Sequence, residues 1–304
     1  MATGLRRRPK ESKTRTDAAV GAGRTSIETR EFQYSYKDFQ RIRRLIHERA
    51  GISLSEAKQD MVYSRLARRL RARGLKRFSE YLDLLRLGDE AEWEAFTNAL
   101  TTNLTSFFRE AHHFPLLAQH AVRHKPGRDF QVWCCGCSSG EEAYSIAITL
   151  AETFASLRPP VSVLASDVDT QVLRRAEDGV YPIERVERLG SERVRRFFLR
   201  GTGVQAGQAR VRPELRNLVT FRPFNLLTSV WQLSRPFDAI FCRNVMIYFD
   251  RATQAMILRR LAPLLRPDGL LFVGHSESLF HVSDTFRLRG RTVYELAGRD
   301  GSVD

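Results

Sequence analysis

The residues best suited to chemistry stand in one run, Val132-Trp-Cys-Cys-Gly-Cys-Ser-Ser-Gly-Glu-Glu142. An apolar segment ends there, a loop with Gly136 and Gly140 follows, and a helical pattern begins. Glycine in such a turn lets the backbone approach a bound molecule closely. Three ligand chemistries use a turn of this kind. A dinucleotide needs G-x-G-x-x-G, whereas the spacing here is G-x-x-x-G. Glu141 and Glu142 would also occupy the helix N-terminus that attracts phosphate, and carboxylates repel it. A nucleophilic serine is the second chemistry. Gly136-Cys-Ser-Ser-Gly140 matches G-x-S-x-G, and Asp238 and His275 follow in the order Ser, Asp, His. Against it, the turn follows the first predicted strand, so no earlier strand–helix loop supplies a second oxyanion donor. The third is S-adenosylmethionine, which carries no phosphate. Its sulfonium and amino groups are cationic, and its ribose hydroxyls seek acceptors. An acid in the loop and Asp167, in Leu164-Ala-Ser-Asp-Val-Asp169, suit that ligand. Asp167 could instead cap the following helix, but Asp169 is better placed to do so.

The elements that must position these residues follow from periodicity. Between Tyr36 and about Arg123 the pattern is helical. The predicted helices are Tyr36–Arg49, Glu56–Arg73, Phe78–Leu87, Glu90–Asn103 and Arg109–Arg123, with Gly51, Gly74 and Gly88 as stops. From Phe130 short apolar runs alternate with helical stretches. The runs are Phe130–Cys135, Val161–Ser166, Leu218–Phe221, Asp238–Arg243 and Gly269–Gly274. The helices include Glu141–Phe154, Thr170–Glu177 and Arg251–Leu264. This alternation predicts an α/β fold, a parallel sheet with helices on both faces. Ligands bind such sheets at the carboxyl ends of the strands. Thr292–Leu296 reads as a late, antiparallel strand after an irregular loop. The glycine-containing stretch Phe197–Arg212 reads as a small antiparallel β insertion, placed at about 190–222.

The expected organisation is therefore a disordered basic tail over 1–30, an all-helical domain over 31–125 and an α/β domain over 126–304. Residues 1–30 contain too few apolar side chains to pack. Residues 1–125 carry 25 Lys and Arg against 15 Asp and Glu, while the remainder carries 24 against 20. The basic excess in the first part suits an acidic partner: nucleic acid, an anionic membrane or an acidic protein surface. No apolar run approaches the ~20 residues of a membrane span. The Arg-rich N-terminus lacks the apolar core of a secretory signal. A cytoplasmic protein, not inserted in a membrane, is expected. Cys134, Cys135 and Cys137 crowd together and Cys242 stands apart. Adjacent cysteines make a poor disulfide framework. They are expected as buried strand-end thiols, with no metal site.

Five stretches resemble the chemotaxis receptor methyltransferases, the CheR family. They are Leu100-Thr-Thr-Asn-Leu-Thr-Ser-Phe-Phe-Arg-Glu110, Ser138-Ser-Gly-Glu-Glu-Ala-Tyr-Ser145, Ala165-Ser-Asp-Val-Asp169, Phe237-Asp-Ala-Ile-Phe-Cys-Arg-Asn-Val-Met-Ile-Tyr-Phe249 and Leu265-Arg-Pro-Asp-Gly-Leu-Leu-Phe-Val-Gly-His-Ser-Glu277. The resemblance spans about Tyr36 to Leu296. Cys137 stands where the family usually has Ala or Ser. The resemblance implies a small helical domain followed by a Rossmann-like class I methyltransferase domain. It implies protein-glutamate O-methyltransferase activity on chemotaxis receptors, giving glutamate methyl esters for sensory adaptation. S-adenosylmethionine would be the cofactor and S-adenosylhomocysteine the product. Contacts to it are implied for Asn103, Thr105, Arg109, Glu141, Asp167, Asn225, Leu226, Arg243 and Asn244. Taken singly, these have plainer readings: Asn103 and Thr105 as helix caps, Asn225 as a turn former, Arg243 as a surface ion pair.

Attack of a carboxylate oxygen on a sulfonium methyl needs no general base, because glutamate is ionised near neutral pH. The protein must align the reacting atoms and remove water from the nucleophile. Arg109 and Tyr248 are the catalytic candidates for holding the substrate carboxylate, Arg through its planar donor fork and Tyr through one O–H. Tyr248 could equally be a packed strand-end aromatic. Between Met61 and Ser79 stand seven basic residues and no acid. Arg65, Arg68, Arg69 and Arg73 share one helical arc. They read either as a solvated basic face or, in line with the family, as a dock for acidic cytoplasmic receptor helices. The β insertion around Arg200 and Gly201 resembles the family's docking site for a receptor C-terminal tail peptide, where an extended chain adds to a strand edge. The alternative substrate is another acidic molecule or nucleic acid. The Asn-Pro-Pro-Tyr type of motif suited to amino-group methylation is absent, and no nucleic-acid partner is expected.

Overall fold

The computed structural model describes residues 30–124, 127–233, 236–279, 282 and 284–298. The expected disordered tail, residues 1–30, lies outside the described residues apart from Arg30.

The helical part begins with α1 (Tyr36–Ala50), opened by a reciprocal cap between Ser35 and Asp38 and closed by Gly51 at φ 70°. A 3-10 turn at Glu56–Lys58 leads into α2 (Gln59–Arg73). Then come α3 (Phe78–Leu85), α4 (Glu90–Leu100) and α5 (His113–Val122). Phe39, Ile42 and Ile46 of α1 and Val62, Leu66 and Leu70 of α2 recur at helical spacing and are wholly buried together with Phe78, Tyr81 and Phe96.

Several predicted helices overrun the observed ones by a few residues, and two of these overruns bear on the site. The helix expected over Glu90–Asn103 stops at Leu100, and Thr101 is extended. The side chains of Thr101 and Asn103 reach Asp169 Oδ2, at 2.6 and 2.8 Å. Short polar side chains of this type compete with the helical backbone for hydrogen bonds. The helix expected over Arg109–Arg123 starts at His113. Residues 101–112 form a connecting segment that matters below.

The α/β part runs β1 (Phe130–Cys135), α6 (Glu141–Thr153), β2 (Val161–Asp167), α7 (Thr170–Asp178), β3 (Val180–Pro182), α8 (Ile183–Glu187), α9 (Ser191–Phe197), β4 (Phe198–Arg200), β5 (Gln208–Val211), α10 (Pro213–Arg216), β6 (Val219–Pro223), β7 (Phe237–Cys242), α11 (Arg251–Leu261), β8 (Leu265–Val273), β9 (Phe286–Gly290) and β10 (Val293–Leu296). The main sheet has the order β6-β2-β1-β7-β8-β10-β9. The first five strands are parallel, and β10 runs antiparallel to both its neighbours, as the late strand was expected to do. Strand order reverses between β1 and β7, the switch point where α/β sheets bind ligands. Cys135 pairs in register with Cys242, and all four cysteines are free, buried thiols.

A second sheet, β3-β5-β4, is the expected antiparallel insertion. It starts earlier than residue 190, because Val180–Pro182 supplies one strand. It also ends before 222, because Val219–Pro223 belongs to the main sheet. A three-residue strand ending in proline shows no alternation by which to predict it. The loop expected before the last strand contains β9. There Arg287, Leu288 and Arg289 are all exposed, so this edge strand lacks an apolar face.

Candidate active site

A cavity of about 480 Å³ opens over the carboxyl ends of β1, β2 and β7, within the range of small-molecule sites. The strand ends form its floor. Residues 100–105, Arg109 and the segment from Ala50 to Met61 form the facing wall. The two sides are joined by hydrogen bonds. Ser53 N donates to Tyr248 O (2.8 Å), Asn225 Nδ2 to Arg49 O (2.7 Å) and Asn98 Nδ2 to Thr170 Oγ1 (3.1 Å).

The floor is rich in carboxylates. Asp167, at the end of β2, is buried and accepts Ser138 N at 2.8 Å and Asp169 N at 2.9 Å. Burial pushes its carboxyl up to about 6, although the two backbone donors oppose the shift. Among the described residues no side-chain cation meets it, so its remaining lone pairs are available to ligand hydroxyls. Asp169, not Asp167, caps α7, through Gln171 N and Val172 N. Glu142 also lines the cavity, and burial raises its carboxyl although Arg243 Nη1 lies 2.5 Å away.

Arg243 is buried and organises the connecting segment. Its Nη2 donates to Arg109 O at 2.5 Å and lies 3.2 Å from Glu110 Oε2. Asn244 follows at φ 57°, and its N–H donates to Glu277 Oε2 at 2.7 Å. Glu277 also receives Gly274 N and Ile247 N. Phe108, Glu110, Ser138 and Asn244 all adopt positive φ without being glycine. Such backbone strain gathers where surrounding contacts fix an unusual shape. Gly136 sits at φ 68°, and a Cβ there would lie 2.4 Å from a Val245 methyl. Its glycine serves close packing of the loop on the segment after β7 as well as approach to the cavity.

The catalytic candidates converge. Arg109 and Tyr248 both line the cavity; Arg109 Nη1 donates to Leu104 O (2.9 Å) and Tyr248 Oη to Thr102 O (3.3 Å). Asn103, Thr105, Asn225, Leu226, Arg243 and Asn244 line it too. Glu141 does not. Its carboxylate turns away to Ser139 Oγ (2.6 Å) and Arg185 Nη1 (2.8 Å), so Glu142 is the loop acid that faces the ligand space. Adjacent residues on a helix point about 100° apart.

The rival chemistries fail on geometry. A phosphate would need the loop N–H groups, but Cys137 N donates to Ser166 O, Ser138 N to Asp167 and Gly140 N to Cys137 O. For a serine nucleophile, Ser138 Oγ contacts Asn103 O, while Asp238 binds Arg128 and Gln131 N at the opposite end of its strand. No Ser–His–Asp chain assembles. The acceptor-rich, phosphate-averse floor fits S-adenosylmethionine.

Comparison with known proteins decides the family. Residues 37–101 match the CheR methyltransferase all-alpha domain, and residues 103–294 the CheR methyltransferase SAM binding domain. The chain belongs to the CheR methyltransferase family. It is 52% identical over 284 residues to the chemotaxis protein methyltransferase of Escherichia coli strain K12, covering 92% of this chain and 99% of that protein. It is 54% identical over 271 residues to chemotaxis protein methyltransferase 2 of Pseudomonas aeruginosa, covering 88% and 95%. The chemotaxis protein methyltransferase of Borreliella burgdorferi is 32% identical over 252 residues, covering 80% and 88%.

Within this CheR-family chain the expected docking residues divide. Arg69 and Arg73 both bind buried Glu92, and Arg65 Nη1 donates to Thr101 O at 2.6 Å. Only Arg68 of the four stands exposed without a partner among the described residues. The arc is thus mainly a brace between α2, α4 and the connecting segment, because arginine at a helical spacing reaches any buried acceptor nearby. Arg200, exposed, pairs with Glu187 at 3.0 Å, and Gly201 N bonds Gln208 O at 2.8 Å. Both sit by β4, an edge strand of the small sheet. Glu277 and Glu110 stand at the site although sequence reasoning did not single them out, and Glu142 was weighed there only together with Glu141. The available signal was their position within the quoted family stretches, at strand and helix ends. Among the described residues no helix is long and apolar enough to cross a membrane.

Proposed function

We propose that this protein methylates glutamate side chains on the cytoplasmic helices of chemotaxis receptors, giving methyl esters for sensory adaptation. The observation that carries the reading is the convergence of Arg109 and Tyr248 in one cavity with the carboxylates Asp167 and Glu142. Asp167 and Glu142 accept from the cofactor's hydroxyl and amino groups, with Asn103, Thr105, Asn225, Leu226 and Asn244 around them. Bound there, S-adenosylmethionine supplies an electrophilic methyl group on a sulfonium centre.

Arg109 and Tyr248 position the incoming carboxylate by donating to it. Their grip has to be moderate, because strong stabilisation of the anion would slow its attack. Arg243 holds the Arg109 backbone, and Glu277 holds the Asn244 turn, so the donors are fixed before substrate arrives. The facing helical wall keeps water from the nucleophile, and charge neutralisation between anion and sulfonium favours a dry site. Arg68, with the outer parts of Arg65, Arg69 and Arg73, meets acidic receptor helices. The β4 edge near Arg200 and Gly201 takes a receptor tail peptide where one exists. The protein works in the cytoplasm on this reading.

Incubation with methyl-labelled cofactor and either receptor fragments or nucleic acid tests the proposal. Base-labile label on receptor glutamates is expected. Label found solely in nucleic acid would overturn it.

A further inference from the structure

Ten large hydrophobic side chains stand exposed among the described residues. Scattered singly, such residues need no explanation. Two of them, however, share the cofactor cavity: Leu104, 79% exposed, and Ile247, 51% exposed. Neither joins any of the three hydrophobic clusters of the protein.

Both are rigidly mounted. Leu104 lies in the connecting segment, and its carbonyl accepts from Arg109 Nη1 at 2.9 Å. Ile247 precedes Tyr248, and its N–H donates to Glu277 Oε1 at 3.3 Å. The Tyr248–Thr102 bond of 3.3 Å joins the two segments. Each of these residues therefore neighbours one of the two groups proposed to hold the substrate carboxylate, Leu104 through its carbonyl and Ile247 along the chain. Their exposure sets them at the solvent end of the cavity, away from buried Asp167 and Glu142. The segment carrying Leu104 is also continuous with the basic helix, since Arg65 of α2 binds the carbonyls of Leu100 and Thr101.

We infer that Leu104 and Ile247 form an apolar lip that closes on the receptor helix beside the target glutamate. This rests on the function proposed above and adds a specificity element to it. On a helix, residues three and four positions from the glutamate share its face. The lip selects small or apolar side chains there and disfavours charged ones, which would lose water against Leu104 and Ile247. It also covers the carboxylate held by Arg109 and Tyr248. Arg68 on the exposed side of α2 supplies charge attraction, and the lip chooses among glutamates by their neighbours.

Leu104→Ser, Ile247→Ser and the double variant test this with receptor fragments carrying Ala or Asp four residues from the target glutamate. Each single change is expected to lower kcat/KM for the Ala fragment roughly tenfold, from lost apolar burial. The wild type prefers the Ala fragment, and the double variant loses that preference. Leu104→Met keeps it. Binding of S-adenosylhomocysteine, measured by calorimetry, stays unchanged in every variant, which also reports that the site is folded. Unaltered kcat/KM and preference in the double variant would overturn the lip while leaving the proposed function intact. Weakened S-adenosylhomocysteine binding in proportion to lost activity would also overturn it, making these residues cofactor wall. Failure of the wild type to label any receptor fragment would remove the proposed function and the lip together.

Discussion

Two buried arginine–carboxylate clusters hold this molecule together, and they differ in completeness. In the helical part, Glu92 of α4 is wholly buried and receives Arg69 Nε and Nη2, Arg73 Nε and the Tyr81 hydroxyl. Its carboxylate stays below the ordinary range; burial opposes ionisation, but these donors together outweigh it. Neither of its oxygens lacks a partner. Beside the cavity, Arg243 serves Glu142, Glu110 and the Arg109 carbonyl at once. There Glu110 Oε2, Arg243 Nε and His113 Nδ1 are buried without a hydrogen bond. Burial pushes His113 down to about 3, with Arg243 adding to the shift, so it stays neutral. The first cluster is closed and joins three helices. The second is under-satisfied and fixes the connecting segment through the Arg109 carbonyl. Completeness marks structural work, and shortage marks a site whose geometry is set for something other than stability.

The largest expected effect comes from opening the second cluster. Arg243→Ala leaves two buried carboxylates without their cation, a change that costs about 3–5 kcal/mol of stability. Methyl transfer per folded molecule should fall on the order of 100-fold, because Arg109 loses the anchor on its carbonyl. Thermal melts and receptor methylation assays check both. Glu92→Ala should instead cost about 1.5–3 kcal/mol in stability. The freed Arg69 and Arg73 are partly exposed and can regain water. Its kcat should match the wild type well below the melting temperature. A Glu92→Ala protein that is folded but inactive would erase the distinction between the clusters.

Much of this was legible beforehand, and the gaps have physical causes. The parallel strands show as apolar runs because both faces of the sheet are covered. Strand β9 does not, since Arg287, Leu288 and Arg289 all face solvent at an edge. The residues alone left the loop acid open between Glu141 and Glu142, and the resemblance pointed to Glu141; α6 is buried on nearly every side and offers no apolar stripe to fix its phase. The roles of Arg69 and Arg73 escaped because Glu92 is distant in sequence and lies on another helix. Asp167 showed in the sequence as a strand-end acid, whereas Arg109 entered through the family stretch, and both line the cavity.

The contrast between floor and braces can be sharpened by pH. Asp167 meets no side-chain cation among the described residues and is held near 6 by burial, whereas Glu92 is held ionised by arginines. A raised carboxyl binds a proton more readily when folded, so Asp167 protonates as pH falls through about 6. The ionised form accepts ligand hydroxyls on both oxygens, and the protonated form does so less well. Affinity for S-adenosylhomocysteine should be flat above this value and fall up to about tenfold per pH unit below it. Asp167→Asn should bind weakly throughout and lose the slope. Calorimetry from pH 5 to 8 checks this, and an unchanged slope in Asp167→Asn would assign it to Glu142.

Tyr248→Phe should give the smallest change, because it removes one neutral donor and keeps the ring. The loss in kcat/KM for receptor should be about tenfold at most, the worth of one ordinary hydrogen bond. Cofactor affinity should not move, since the hydroxyl contacts Thr102 O rather than the acidic floor. Burial raises the Tyr248 hydroxyl above its usual value, with Arg109 opposing, so the donor persists through mildly alkaline pH. The wild type and Tyr248→Phe should therefore keep a constant activity ratio from pH 7 to 9, measured by methyl-ester release. A ratio that converges as pH rises would mean that the hydroxyl ionises and that Arg109 dominates its environment. Burial would then no longer separate this wall from the solvent, and the dry-site account of the carboxylate would have to rest on Leu104 and Ile247 alone.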